Sequence, residues 1–260
     1  MSVPLHHVVD GPADAPPLVL GNSLGTDASI WDPLVAQLDA DRFRIVRFDH
    51  RGQGVSDVPH GPYTISDLGE DVVALLDELE IAATSYCGMS VGGMVGLWLA
   101  ANAPERIERL VVCNSSASPG NPEAWLERAA TVEAAASTAP VADAVVGRWL
   151  TESFQAEHPE VLAELKAMLV RSPPDGYAAL CTMLAELDLR ADLERVRAPT
   201  LVIGGAQDAS LPPLEQAVPI ARGIPGARFE LLDPAAHVPM AERPDAVAAL
   251  ILEHLEATIV

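Results

Sequence analysis

The sequence predicts an α/β protein with a mostly parallel central sheet, flanking helices and an inserted helical cap. Short apolar runs rich in β-branched residues alternate with segments of helical periodicity, an alternation typical of a parallel sheet. One long segment shows helical periodicity and no predicted strand, which indicates that a group of helices is inserted into the α/β core. The predicted strands cover residues 17–20, 43–48, 84–87, 109–113, 200–203 and 228–232, after an early strand around His6 and His7.

Two core helices can be placed by their ends and apolar faces. Ser66 can cap a helix that carries an apolar stripe over residues 68–79. Pro244 suits the first turn of a final helix with a second stripe over residues 246–255. Both helices are expected to bury these stripes against the sheet.

The inserted segment spans residues 119–193. Its alanine-rich and leucine-rich pattern is interrupted by prolines at positions 140, 159, 173 and 174, so several short helices are expected. The predicted organisation is therefore a core of residues 1–118 and 194–260 with a cap of residues 119–193.

The composition limits the possible partners and compartments. A formal net charge of −21 argues against binding nucleic acid or an anionic membrane surface. The three cysteines, Cys87, Cys113 and Cys181, lack metal-ligand spacing. Together with the absence of a recognisable leader, they indicate reduced thiols in the cytoplasm. The longest apolar stretch, residues 91–101, is too short to span a membrane.

Ser90 lies between Gly88 and Gly92, at the junction of a predicted strand and a predicted helix. A serine on such a sharp turn needs very small residues two places to either side, and the turn lifts its hydroxyl above the sheet. The pentapeptide could also be a plain turn. Its position between strand and helix favours a catalytic nucleophile.

A serine hydroxyl needs a base and an orienting carboxylate to become a nucleophile. Asp208 follows the strand at 200–203, and His237 follows the strand at 228–232, which gives the chain order Ser, Asp, His. The alternatives are a surface histidine and a solvated aspartate. Asp188, Asp192 and Asp233 lie nearby in the sequence, but Asp208 has the position at a strand's carboxyl end that ligand sites favour.

Backbone N–H groups can stabilise the charge that develops on a carbonyl oxygen. Val91, directly after Ser90, supplies the first expected donor, and the loop at residues 21–27 supplies the second, for which Leu24 is favoured. The alternative is that this glycine-containing loop only makes a turn.

With these residues in place, the chain resembles the α/β-hydrolase superfamily and, more narrowly, the 3-oxoadipate enol-lactonases. Many members of the superfamily have His-Gly where this chain has Asn22-Ser23. The short amino terminus departs from the pattern, since it lacks the first strand of the fold. The resemblance is carried by residues 22–27 (NSLGTD), 49–56 (DHRGQGVS), 63–65 (YTI), 87–94 (CGMSVGGM), 103–107 (APERI) and 113–117 (CNSSA).

The resemblance implies hydrolysis of a five-membered enol-lactone with an acetate arm, through an acyl-enzyme and without a cofactor or metal. This lactone is an intermediate in bacterial breakdown of protocatechuate and catechol. Other hydrolases of the same fold could use the same triad, namely a carboxylesterase, a carbon-carbon bond hydrolase or a cofactor-free perhydrolase. A non-catalytic binding protein on this fold is the third hypothesis. The sequence leaves the oligomeric state open.

An anionic lactone or ester substrate requires a local cation in so acidic a chain. Arginine suits bidentate recognition of a carboxylate, and the predicted cap contains Arg128, Arg148, Arg171 and Arg190, among which the sequence does not choose. Trp125 and Trp149 could line the pocket or belong to the core.

Overall fold

A seven-stranded sheet forms the centre of the computed structural model, which describes residues 2–39 and 41–257. The strands are β1 (His7–Asp10), β2 (Pro17–Gly21), β3 (Arg44–Phe48), β4 (Thr84–Met89), β5 (Ile107–Cys113), β6 (Thr200–Gly205) and β7 (Arg228–Leu232). Their order across the sheet is β1-β3-β2-β4-β5-β6-β7. Only the pairing of β1 with β3 is antiparallel among these strands, and the predicted, mostly parallel α/β fold is confirmed.

The central strands are buried on both faces. Leu18, Val19 and Leu20 on β2 have no exposed surface, although consecutive side chains of a strand point to opposite faces. Such continuous apolar runs are expected when helices cover both sides of a parallel sheet. Because the parallel strands share one direction, the loops after β2, β4, β5, β6 and β7 meet at one edge of the sheet.

Helices cover the two faces of this sheet. Those outside the segment between β5 and β6 are α1 (Asp32–Val35), α2 (Ile65–Glu78), α3 (Val91–Asn102), α9 (Ala217–Gly223), α10 (Pro239–Glu242) and α11 (Pro244–Glu256). Pro244 occupies the first turn of α11 as predicted. The helix α3 is apolar around its whole circumference because neighbouring elements cover it on all sides. Of the described helices, none has the length and apolar character that crossing a membrane requires.

The start of α2 differs from the prediction. Thr64, not Ser66, is the N-cap, and its hydroxyl accepts a hydrogen bond from the Asp67 N–H. The Asp67 carboxylate in turn accepts from the Thr64 N–H at 2.8 Å. This reciprocal capping box satisfies two N–H groups at once, which a cap at Ser66 would not do.

Five helices fill the segment between β5 and β6, and its described residues form no strand. Each of the four prolines that interrupt the sequence pattern lies at a helix start. Pro140 is in the first turn of the second of these helices, Pro159 is the first residue of the fourth, and Pro173 and Pro174 are the N-cap and first residue of the fifth. The helices are α4 (Pro122–Ala135), α5 (Ala139–Val146), α6 (Glu152–Glu157), α7 (Pro159–Arg171) and α8 (Pro174–Glu186). The boundary of a cap at residues 119 and 193 stays a prediction.

The inserted helices are fastened to the core near the loop after β7. The Val238 N–H donates to the Trp149 carbonyl at 2.9 Å. The Glu242 carboxylate accepts from the Thr151 N–H at 2.7 Å and from the Ala236 N–H at 2.6 Å. Two of these hydrogen bonds join the inserted segment to the core, and the third ties Glu242 to the loop that carries His237.

Candidate active site

Ser90 occupies the turn between β4 and α3 in a conformation that few residues adopt. Its φ of 54° and ψ of −115° lie outside the regions favoured by L-residues with a side chain. A Cβ on Gly88 would lie 2.2 Å from the Gly92 carbonyl oxygen, and one on Gly92 would lie 2.0 Å from the Gly21 carbonyl oxygen. The two glycines are therefore required by close backbone packing, as the sequence predicts for a nucleophile elbow.

The backbone of Ser90 is held from the end of β5. Its N–H donates to the Cys113 carbonyl at 3.0 Å, and its carbonyl accepts from the Ser115 hydroxyl at 2.7 Å. These bonds fix the strained turn, so the Ser90 hydroxyl has a defined position at the carboxyl edge of the sheet.

Asp208 and His237 meet at the same edge. Oδ2 of Asp208 lies 2.8 Å from Nδ1 of His237, and both side chains are buried. Oδ1 of Asp208 accepts from the N–H groups of Ser210 and Leu211 at 2.8 and 3.0 Å. The carboxylate is thereby fixed and can hold the imidazole with Nε2 directed away from Asp208.

The other aspartates considered from the sequence lie in other surroundings. The carboxylate of Asp188 pairs with Arg190, which holds the pKa of Asp188 at about 2, and Asp192 pairs with Arg195 at 2.8 Å. Asp233 is exposed at the end of β7. Among the four aspartates, Asp208 is the one that contacts the histidine.

The loop after β2 is shaped by hydrogen bonds from its own side chains and from one neighbour. Nδ2 of Asn22 donates to the Thr26 carbonyl at 2.7 Å, and the Gly25 N–H donates to Oε1 of Gln53 at 2.5 Å. Within the described part of the chain, the N–H groups of Leu24 and Val91 have no hydrogen-bond partner. Both remain available to a substrate oxygen, which fits the expected oxyanion hole.

A cavity of about 70 Å³ joins Ser90 and His237 to the inserted helices. Trp125 and Trp149, which the sequence left between pocket and core, both line it. The complete lining is Ser23, Leu24, Ser90, Met94, Trp125, Arg128, Val145, Arg148, Trp149, Tyr177, Leu184, Ser210, Leu211 and His237.

The structure separates the four candidate arginines. Arg128 and Arg148 line the cavity, and the Arg128 guanidinium lies 4.5 Å from the Trp125 ring centroid. Arg171 lies 3.9 Å from Asp27 on another surface, and exposed Arg190 pairs with a neighbouring aspartate. Burial lowers the pKa of Arg148, and the like charge of Arg128 lowers it further.

Tyr177 is a cavity residue that the sequence analysis missed. Its side chain is buried, and its hydroxyl makes no hydrogen bond of good geometry with the described residues. Burial raises the pKa of Tyr177, while Arg128 and Arg148 favour its ionised form. The hydroxyl is therefore a neutral group with a free donor beside two cations. Its sequence context, a predicted cap helix, carries no signal for this role.

A larger cleft of about 540 Å³ lies away from Ser90, between the start of the sheet and α7. Its charged groups already have partners, because His6 lies 3.1 Å from Asp49 and Arg47 pairs with Asp10 and Asp32. The smaller cavity is lined by Ser90 and His237, so it is the candidate active site. No three His, Cys, Asp or Glu side chains cluster as a metal site would require within residues 2–39 and 41–257.

The chain is similar to known proteins over most of its length. The sequence model for the alpha/beta hydrolase fold family matches residues 16–244. The chain is 42% identical over 206 residues to 3-oxoadipate enol-lactonase 2 of Acinetobacter baylyi, which covers 79% of this chain and 76% of that protein. It is 31% identical to RutD of Caulobacter sp. (strain K31), a provisionally named carbamate hydrolase, over 96% of this chain and 94% of the relative.

Among solved structures, the chain is similar to the enol-lactonase from Burkholderia xenovorans LB400. The two are 41% identical, with a TM-score of 0.93 over 97% of this chain and 96% of the other.

Proposed function

The chain belongs to the alpha/beta hydrolase fold family, and from that premise we propose that it hydrolyses 3-oxoadipate enol-lactone to 3-oxoadipate with Ser90, His237 and Asp208 as catalytic triad. The observation that carries the substrate assignment is the pair of arginines, Arg128 and Arg148, in the cavity of Ser90. The similarity to two enol-lactonases supports it. From the resemblance of the motifs we further propose that the reaction belongs to bacterial breakdown of aromatic compounds.

In the first half of the reaction, the Ser90 Oγ attacks the ring carbonyl carbon and its proton passes to Nε2 of His237. Asp208 holds the opposite nitrogen of the ring, at 2.8 Å, and stabilises the imidazolium. The carbon-oxygen bond of the ring then breaks, and the departing enol oxygen receives the proton. The product of this half is an acyl-enzyme whose acyl chain contains the freed enol.

The N–H groups of Leu24 and Val91 would stabilise the oxyanion in this step. One donor of this kind contributes about 10²- to 10³-fold to the rate in serine hydrolases. Both groups lack a protein partner among the described residues, so binding the oxyanion would not require them to give up a hydrogen bond.

In the second half, His237 takes a proton from water, which attacks the acyl carbon and releases Ser90 with its proton restored. The enol of the product can tautomerise to the ketone of 3-oxoadipate. No step of this scheme uses a cofactor or a metal.

The acetate arm of the lactone would bind at the arginines of the cavity. Neither Arg128 nor Arg148 has a carboxylate within 4.0 Å among the described residues, although the chain has a net charge of −21. An anion bound between the two guanidinium groups would be attracted by both charges and would relieve their mutual repulsion. The free hydroxyl of Tyr177 can add a third donor, and Trp125 would fix the orientation of Arg128 through its ring.

A second candidate function is hydrolysis of a different ester, carboxamide or carbamate. The similarity of the chain to RutD supports this alternative. A neutral substrate of that kind would leave the arginine pair without a counter-ion. A non-catalytic binding role has less support, because the buried Asp208–His237 pair and the strained Ser90 serve chemistry rather than binding.

The three buried cysteines are free thiols, which supports a proposal that the enzyme works in the reducing cytoplasm.

The substrate proposal is tested by comparing kcat/KM for 3-oxoadipate enol-lactone with that for a neutral aryl acetate. A higher value for the lactone supports it. A higher value for the neutral ester would transfer the assignment to the esterase alternative.

A further inference from the structure

Three short loops carry the proposed triad. The tripeptide at positions 113–115, at the end of β5, contacts two of these loops and the last residue of β6, from which the third loop leaves. Ser90 is bound on one side, through the Cys113 carbonyl and the Ser115 hydroxyl. The middle residue, Asn114, contacts the loop after β7 and the end of β6. The strand end is thus a common attachment point for the nucleophile, the base and the carboxylate.

The Asn114 side chain joins the last residue of β6 to the loop after β7. Its Nδ2 donates to the Ala236 carbonyl at 2.5 Å, directly before His237. Its Oδ1 accepts from the Gly205 N–H at 3.0 Å, three residues before Asp208. The amide therefore donates to the histidine loop and accepts from the strand end that leads into the aspartate loop.

The backbone of Asn114 is adapted to this position. Its φ is 43°, in the left-handed region that asparagine tolerates better than most residues with a side chain. Its N–H donates to the Ile203 carbonyl at 2.8 Å, and only 1% of the residue is exposed. Glycine would adopt this backbone conformation more easily than asparagine. The side chain of Asn114 is therefore explained by its two hydrogen bonds and not by the backbone conformation.

We propose that Asn114 is a positioning residue, which sets the separation of the Asp208 and His237 loops and thereby the orientation of the imidazole toward Ser90. This inference rests on the proposed triad. The two loops also share a backbone bond from the Gln207 N–H to the Ala235 carbonyl at 2.9 Å. Removing the Asn114 amide therefore loosens the pair of loops without detaching them.

The test uses a reagent whose reaction rate measures the reactivity of Ser90 independently of the natural substrate. A fluorophosphonate reacts with an activated serine: the Oγ–P bond forms, the P–F bond breaks, fluoride leaves and the serine proton passes to the base. Its second-order rate constant and kcat and KM for the lactone are measured in wild type and in two variants, beside the melting temperature.

The first variant, Asn114→Gly, keeps the left-handed backbone at low cost and removes both side-chain bonds. We expect the fluorophosphonate rate and kcat to fall about 10- to 100-fold, because a displacement on the scale of an ångström has that effect. KM should change less than twofold. The second variant, Asn114→Asp, keeps the acceptor for Gly205 but places an oxygen against the Ala236 carbonyl, and its rate should fall by a similar factor.

The matched control is Asn121→Gly. Asn121 also has a left-handed backbone, with φ of 49°, but it is exposed and its side chain caps α4 by accepting from the Ala124 N–H. Its fluorophosphonate rate should stay within twofold of wild type.

The outcomes separate the two proposals. A folded Asn114→Gly variant that reacts with the fluorophosphonate as fast as wild type would overturn the positioning role. An equal loss of melting temperature in the Asn114→Gly and Asn121→Gly variants with unchanged kcat would also overturn it, since it would mean a structural role only. Fast phosphonylation of wild type without turnover of the lactone would instead contradict the proposed substrate and leave the role of Asn114 intact.

Discussion

Oδ2 of Asp208 and Nδ1 of His237 lie 2.8 Å apart, and each residue is less than 5% exposed although 29 residues separate them in the chain. Two hydrogen bonds from the Ser210 and Leu211 N–H groups hold the carboxylate from its other oxygen. A carboxylate held in this way fixes one tautomer of the imidazole and leaves the second nitrogen free to act as a base.

The variant Asp208→Asn should therefore fold but lose activity. The amide nitrogen or oxygen would face Nδ1 without the negative charge that stabilises the imidazolium, so kcat should fall about 10²- to 10⁴-fold. Steady-state turnover of the lactone measures this, with Asp233→Asn at the exposed end of β7 as control. Equal loss in both variants would contradict the assignment of Asp208.

Replacing Arg148 by Gln should weaken the enzyme selectively toward anionic substrates. A charge-assisted hydrogen bond contributes about 1.5 to 3 kcal/mol, so kcat/KM for the enol-lactone should fall about 10- to 100-fold. The same constant for a neutral aryl acetate should stay within threefold. Arg190→Gln, which alters an exposed arginine paired with Asp188, is the control. A parallel loss on both substrates would argue against a carboxylate site.

Two glycine-to-alanine variants should distinguish the stability lost through steric crowding from the stability lost through backbone strain. In Gly92→Ala the new Cβ would lie 2.0 Å from the Gly21 carbonyl oxygen, so the free energy of unfolding should fall by more than about 3 kcal/mol. Gly120→Ala has no atom within 4 Å of its Cβ but a φ of 67°, so strain alone should cost about 1 to 2 kcal/mol. Urea denaturation compares the two, and equal losses would contradict the close packing of the elbow.

Buried His50 should make the protein less stable in mild acid. Burial lowers the pKa of His50 to about 4, whereas an unfolded histidine titrates near 6.5. Between these values the unfolded state binds more protons, so stability falls as the pH falls through this window. From pH 7 to pH 5 the wild type should lose about 2 kcal/mol more than His50→Gln. Urea denaturation at both pH values measures the difference, and identical losses would contradict the prediction.

The sequence predicts the sheet because the signals of its strands are local, and the prediction of the candidate triad rests on local signals of the same kind. Gly88 and Gly92 lie two places from Ser90. Each must be glycine because a Cβ at that position would collide with a backbone carbonyl oxygen. Asp208 and His237 each follow a strand whose apolar run is easy to recognise. The helix start at Thr64 was missed because Ser66 has the same capping chemistry, and the reciprocal bond from Asp67 decides between them.

The cavity could not be predicted because it depends on how distant helices pack. Arg128 and Arg148 lie on or beside different inserted helices, and the packing of α4 on α8 brings Tyr177 near them. Gln53 and Asn114 were also missed as contributors to the site. Each of them binds a loop that is remote in the sequence. The only sequence feature that pointed to such a role was the position of Asn114, a polar residue directly after a strand.

The measurement that tests the central claim most directly is the consumption of 3-oxoadipate enol-lactone by the purified protein, followed by its ultraviolet absorbance, beside the variant Ser90→Ala. We predict efficient turnover by the wild type and a loss of at least about 10⁴-fold in a folded variant. Unchanged turnover in Ser90→Ala would contradict the triad, and absence of turnover in folded wild type would contradict the substrate.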